Sequence, residues 1–170
     1  MGKPINRQDW VDSMYDWAGV EIMKSILVDF PKETTTILDV GAGWGKYGYL
    51  LSAHYHNVDA LDIWWIQEGV YRNETIKDAA EYEMPTYDAV VCSDCLEHMT
   101  TEQAQKFLNN LNCKKAYIVV PFEMEQEAVD GNPHEEHKQD DLTPVAMKLR
   151  YPELTMIKTN ETKGLYLWQK

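Results

Sequence analysis

Apolar positions along this chain switch between two periods. Across residues 9–30 they fall at Trp10, Met14, Trp17, Ile22, Ile26 and Leu27, the spacing of one helical face, and Pro31 closes the helix. Residues 35–40 are β-branched and apolar and run straight into glycines, so they read as a buried strand. A helix is expected over 46–53 and a second strand over 57–62, ending on an acid. A weaker third strand is expected near 73–77 and a fourth over 87–92. Then come a helix over 101–111, capped by Thr100 or Thr101, and a fifth strand over 115–121. The last thirty residues change pattern. Two short strands, 154–159 and 164–169, flank Asn160-Glu161-Thr162-Lys163, which reads as a hairpin turn. Strand and helix in alternation imply an α/β fold, a doubly wound and mostly parallel sheet with helices on both faces, edged by a C-terminal antiparallel hairpin.

Length and charge narrow the partners. At 170 residues the chain is expected to form a single domain, 1–170, with an N-terminal helical segment over 1–34. No run approaches the roughly 18 apolar residues of a membrane span, and the N-terminus lacks the apolar core of a secretion signal. Three cysteines make no disulfide framework, so a cytoplasmic setting with free thiols is expected. A net charge of −12 argues against nucleic-acid and anionic-membrane surfaces and favours a small-molecule partner. Oligomeric state is not legible.

The candidate chemistry begins at Asp39-Val40-Gly41-Ala42-Gly43-Trp44-Gly45-Lys46-Tyr47-Gly48. One register, Asp39-x-Gly41-x-Gly43-x-Gly45, carries a carboxylate. The other, Gly43-x-Gly45-x-x-Gly48, is a dinucleotide fingerprint. Both place a glycine turn at the carboxyl end of the first strand, with Asp62 about 20 residues on to accept ribose hydroxyls. Asp39 separates them, because it repels a pyrophosphate and favours a cofactor carrying an ammonium and a sulfonium.

The segments 37–45, 58–62 and 87–98, the last ending in Leu96-Glu97-His98, resemble in order and spacing the motifs of class I S-adenosylmethionine-dependent methyltransferases, Rossmann-like enzymes with a reversed last strand pair. The resemblance implies S-adenosylmethionine as cofactor. It further implies that Asp39, Gly41, Gly43 and Gly45 line the methionine portion, Asp62 holds the ribose and Ile63 packs on the adenine. Asp78 with Ala79 would reach the adenine amine, and Ser93 and Asp94 would border the cofactor. Glu97-His98 is expected to open the helix after the fourth strand in a structural or cofactor-edge role. Trp64-Trp65 reads as cover for apolar surface, with rings beside the adenine pocket as the alternative, and Cys92-Ser93-Asp94-Cys95 as two unrelated thiols rather than a redox pair.

Residues 123–141 form a long polar stretch leaving the fifth strand at the active-site edge, a candidate substrate lid against the alternative of a solvated acidic loop. Gln126, Gly131-Asn132-Pro133, Glu135 and His137 resemble a segment of small bacterial and phage-type methyltransferases. His137 or His134 is the candidate general base. His134, His137, Glu135 and Glu136 form an alternative divalent-metal set, although no resident metal is expected. The expected function is methyl transfer to a small-molecule acceptor. The alternatives are a cofactor-binding module without transfer activity and, behind it, an NAD-dependent oxidoreductase.

Overall fold

The computed structural model describes residues 17–129 and 131–169. Their strands pair into one seven-stranded sheet of order β3-β2-β1-β4-β5-β7-β6. The strands are β1 (Thr36–Val40), β2 (Asn57–Asp62), β3 (Asn73–Ile76), β4 (Tyr87–Ser93), β5 (Cys113–Pro121), β6 (Thr155–Thr159) and β7 (Lys163–Gln169). β1 to β5 run parallel, whereas β7 lies antiparallel to both β5 and β6. The doubly wound α/β fold with a reversed terminal hairpin is therefore present.

The parallel strands are buried on both faces, which is why they read as unbroken apolar runs rather than alternating ones. Leu38, Val40, Val90, Cys92, Ile118 and Val120 face one core, and Ile37, Ala89, Val91, Tyr117 and Val119 face the other. Helices α1 (Trp17–Asp29) and α2 (Lys46–Ser52) cover the second face through Ile22, Ile26, Tyr47 and Leu51. Helices α3 (Thr101–Asn109) and α4 (Pro144–Arg150) cover the first through Phe107, Leu108 and Met147. Residues 9–16 of the expected first helix lie outside the described residues.

Local chemistry explains the boundaries. Thr100 caps α3 in a capping box: its hydroxyl accepts from the Gln103 N–H, and the Gln103 side chain accepts from the Thr100 N–H. At the end of α1, the Tyr117 hydroxyl donates to the Asp29 carbonyl at 2.9 Å, which gives a terminal carbonyl a partner. The Asn160 side chain accepts from the N–H groups of Thr162 and Lys163, fixing the hairpin turn.

Two expectations need correction. Glu97-His98 does not open a helix: Leu96–His98 is a separate 3-10 turn, and α3 starts only after the Thr100 cap. The sequence reading also leaves α4 out, although Thr143 followed by Pro144 is a cap followed by a proline at the first helical position.

Candidate functional site

Strands β1, β2 and β4 end side by side, and a cavity of about 480 Å³ opens at their carboxyl ends. The turn after β1 supplies its floor. Gly41 has φ +73°, and a Cβ there would lie 2.6 Å from Cys95 Cβ, so only glycine lets this turn lie against the end of β4. The turn is held from the side by Asp62, at the end of β2. Its carboxylate accepts from the Gly43 N–H at 3.0 Å, the Trp64 N–H at 2.8 Å and the Trp65 N–H at 3.2 Å. Asp62 thus joins the glycine turn to the segment after β2 while lining the cavity.

Asp39 is the buried acid of the site. It is 2% exposed and lines the cavity, and the Tyr71 hydroxyl donates to its Oδ2 at 2.7 Å. Burial, with a contribution from nearby Asp62, pushes its carboxyl up to about 7 against the lowering effect of the Tyr71 bond. A cation in the cavity would reverse that balance by favouring the ionised form. Gly48 is needed for this contact, because a Cβ on it would fall 2.3 Å from Tyr71 Cζ. The third glycine of the dinucleotide register therefore serves as the seat of the tyrosine that holds Asp39.

Asp39, Gly41, Gly43, Asp62, Ile63, Asp78, Ala79, Ser93 and Asp94, named from the sequence, all line this one cavity, and His134 lines it too. Asp78 caps a short 3-10 turn, accepting from the Ala80 N–H at 2.8 Å, and also accepts from the Gln103 side chain. Asp94 takes φ +50° at the cavity edge, and Lys163 of β7 donates to it at 2.8 Å. Trp64 lines the cavity, the alternative to a role in covering apolar surface, with its ring 5.6 Å from that of His134. Gly45 and His137 are not among the lining residues. Gly45 turns toward Gln67, Val70 and Tyr49 as the chain enters α2. His137 packs behind the wall, its ring 4.7 Å from that of His98, with Nδ1 2.6 Å from the Met124 carbonyl.

The 123–141 stretch is tied to the fold at several points. The His137 N–H donates to Gln126 O, and the N–H groups of Lys138 and Gln139 donate to Glu97 O. Gln139 is buried, donating to Leu96 O and Met99 O and accepting from the Tyr151 hydroxyl. The segment therefore packs on the Leu96–His98 turn, bringing His134 to the cavity and His137 to His98. Within that turn Glu97 is 2% exposed, and its Oε2 has no hydrogen-bond partner. Burial and the neighbouring Asp94 push its carboxyl well above the usual range, and burial holds the His98 imidazole down to about 4.

No family model matches the sequence, and no curated protein is recognisably similar to it. Solved structures do match in fold. Magnesium protoporphyrin IX methyltransferase from Synechocystis, with bound SAH, superposes with a TM-score of 0.65 at 13% identity, over 98% of this chain and 88% of that one. An S-adenosylmethionine-dependent methyltransferase from Clostridium acetobutylicum gives 0.63 at 11%, over 90% of each chain. The N-methyltransferase NodS from Bradyrhizobium japonicum gives 0.61 at 10%, over 92% of this chain and 98% of that one. At such identities the likeness establishes a shared fold alone.

Proposed function

We propose that this protein binds S-adenosylmethionine in the cavity at the ends of β1, β2 and β4 and transfers its methyl group to a small-molecule acceptor. The observation that carries the reading is the pair Asp39 and Asp62, two carboxylates on one cavity wall with a glycine turn between them. A pyrophosphate there would meet a buried acid, whereas the ammonium of a methionine tail gains from it. Methyltransferase neighbours crystallised with this cofactor or its product support the same reading.

In this reading Asp39 attracts the ammonium and Asp62 accepts the ribose hydroxyls. Ile63 covers one adenine face, Asp78 with Ala79 meets the adenine amine, and Ser93 and Asp94 border the sulfonium end. The transfer is an in-line displacement: the acceptor's lone pair forms the new bond to the methyl carbon as the carbon–sulfur bond breaks and its electrons stay on sulfur. Catalysis consists chiefly of holding the two centres aligned in a dry site. For a protonated acceptor, His134 is the better-placed base of the two named histidines, since it lines the cavity and His137 does not. The 123–141 segment acts as the lid that excludes water.

Calorimetry on the full chain tests this. Saturable binding of S-adenosylmethionine and S-adenosylhomocysteine, with no response to NAD, is the expected result. NAD binding without a response to either sulfur compound would restore the dinucleotide register. If the sulfur compounds bind, a screen of acceptors with methyl-labelled cofactor distinguishes an enzyme from a module that only binds.

A further inference from the structure

The Leu96–His98 turn and the 123–141 segment meet at a cluster to which the methyl-transfer reading assigns no chemistry. One nitrogen of His98, one nitrogen of His137 and one carboxylate oxygen of Glu97 lie within 4.8 Å of one another. Ligand atoms around an ion at about 2.1 Å sit about 3–4 Å apart, a spacing within the limit this cluster keeps. The burial of its carboxylate is what makes the cluster unusual. Glu97 is 2% exposed, and its side-chain oxygen Oε2 is out of water with no hydrogen-bond partner. Two further contacts prepare the imidazoles. Nδ1 of His137 lies 2.6 Å from Met124 O and Nδ1 of His98 lies 3.3 Å from Glu136 O. A neutral imidazole facing a carbonyl carries its proton on Nδ1, which leaves the Nε2 lone pair free. Metal-binding histidines are oriented in this way by their outer partners.

We propose that Glu97, His98 and His137 bind one divalent first-row transition ion at the wall of the cofactor cavity. Two imidazoles and one carboxylate suit Mn²⁺, Fe²⁺, Co²⁺ or Zn²⁺ better than Mg²⁺ or Ca²⁺, which favour oxygen ligands. His98 lines the cavity as well as the cluster. Three protein ligands leave coordination positions open to water or to an oxygen of a bound molecule. The site also explains the arrangement of the lid, because the ion would clamp His137 of the 123–141 segment to the turn after β4. The set differs from the one suggested by sequence: it replaces His134, Glu135 and Glu136 with Glu97 and His98.

The test uses the full chain stripped with chelator and titrated with Co²⁺, read by visible d–d absorption and calorimetry in the absence of any cofactor. Its outcome is therefore independent of the methyl-transfer reading. The expected result is one equivalent bound per chain, weakened on the order of 10²-fold or more by Glu97→Gln and by His137→Ala. His134→Ala and the remote, exposed pair His54→Ala/His56→Ala should leave it unchanged. Circular dichroism establishes that each variant is folded. Should Glu97→Gln fail to fold, His137→Ala, at a half-buried position, carries the comparison. Absence of stoichiometric binding would overturn the proposal, as would binding that survives His137→Ala or is lost in His134→Ala.

Discussion

Asp62 braces the glycine turn and is the proposed ribose acceptor, and its substitution removes both at once. Three backbone N–H groups already converge on it, two of them from the segment that carries Ile63 and Trp64 to the cavity. Asp62→Ala removes the proposed ribose acceptor and also frees the glycine turn. With charge-assisted hydrogen bonds worth roughly 1.5 to 3 kcal/mol each, a loss of S-adenosylhomocysteine affinity of about 10²-fold or more is expected in calorimetry. Unchanged affinity would show that the ribose lies elsewhere. The neighbouring acid has a support the sequence does not announce. Tyr71 stands 32 positions from Asp39, and nothing in its local pattern marks it as the donor to a buried carboxylate. Gly48 was visible, but as part of a competing motif; its actual work, making room for the tyrosine ring, follows from tertiary packing alone. Glu97 is visible in the sequence within Leu96-Glu97-His98, while its orphaned oxygen is a matter of burial.

Elements buried on both faces were the most legible, because a continuous apolar run has few alternatives: β1, β4 and β5 fall close to their expected positions. The exposed edge strand β3 carries little such pattern and could be read only weakly, although Asn73–Ile76 does pair with β2. The polar stretch 123–141 was ambiguous for a physical reason. Its composition is that of a solvated loop, and it is anchored by backbone groups, the half-buried His137 and the buried amide of Gln139 rather than by an apolar face. Gln139→Ala withdraws partners from Leu96 O, Met99 O and the Tyr151 hydroxyl. At ~1–3 kcal/mol for a buried polar group left unmatched, the melting temperature should fall by several degrees. Hydrogen exchange should rise at the His137, Lys138 and Gln139 amides, whose acceptors are Gln126 O and Glu97 O. Exchange that remains as slow as in the parent would mean that Gln139 does not anchor the segment.

Among the described residues, carboxylates pull stability in opposite directions with pH. Asp88, paired with Lys114 and bonded by Thr35 and Thr36, is held well below the usual carboxylate range. Asp59 is pushed up by its burial but lowered further by Arg72, Tyr87 and Asn73, so its net shift is also downward. Both stabilise the fold above the unfolded carboxylate pKa near 4, and that contribution is lost as pH falls below it. Asp39 acts with the other sign. Raised to about 7, it keeps a proton in the native state that the unfolded chain has already released, so stability declines as pH rises from about 4 to about 7. Glu97 contributes in the same sense, and self-repulsion of a chain with net charge −12 adds to it. The apo protein should accordingly be most stable on the acid side of neutrality. Asp39→Asn isolates one group: the variant should gain on the parent by up to a few kcal/mol at pH 8, with the difference vanishing toward pH 4. Cofactor affinity should move oppositely. A cationic tail prefers ionised Asp39, so S-adenosylmethionine should bind the parent more tightly as pH rises through about 7, while Asp39→Asn loses that dependence. Chemical denaturation and calorimetry on the two proteins across pH 4 to 8 measure both slopes. Stability and affinity changing in the same direction would mean that the buried acid does not face the cofactor's charge.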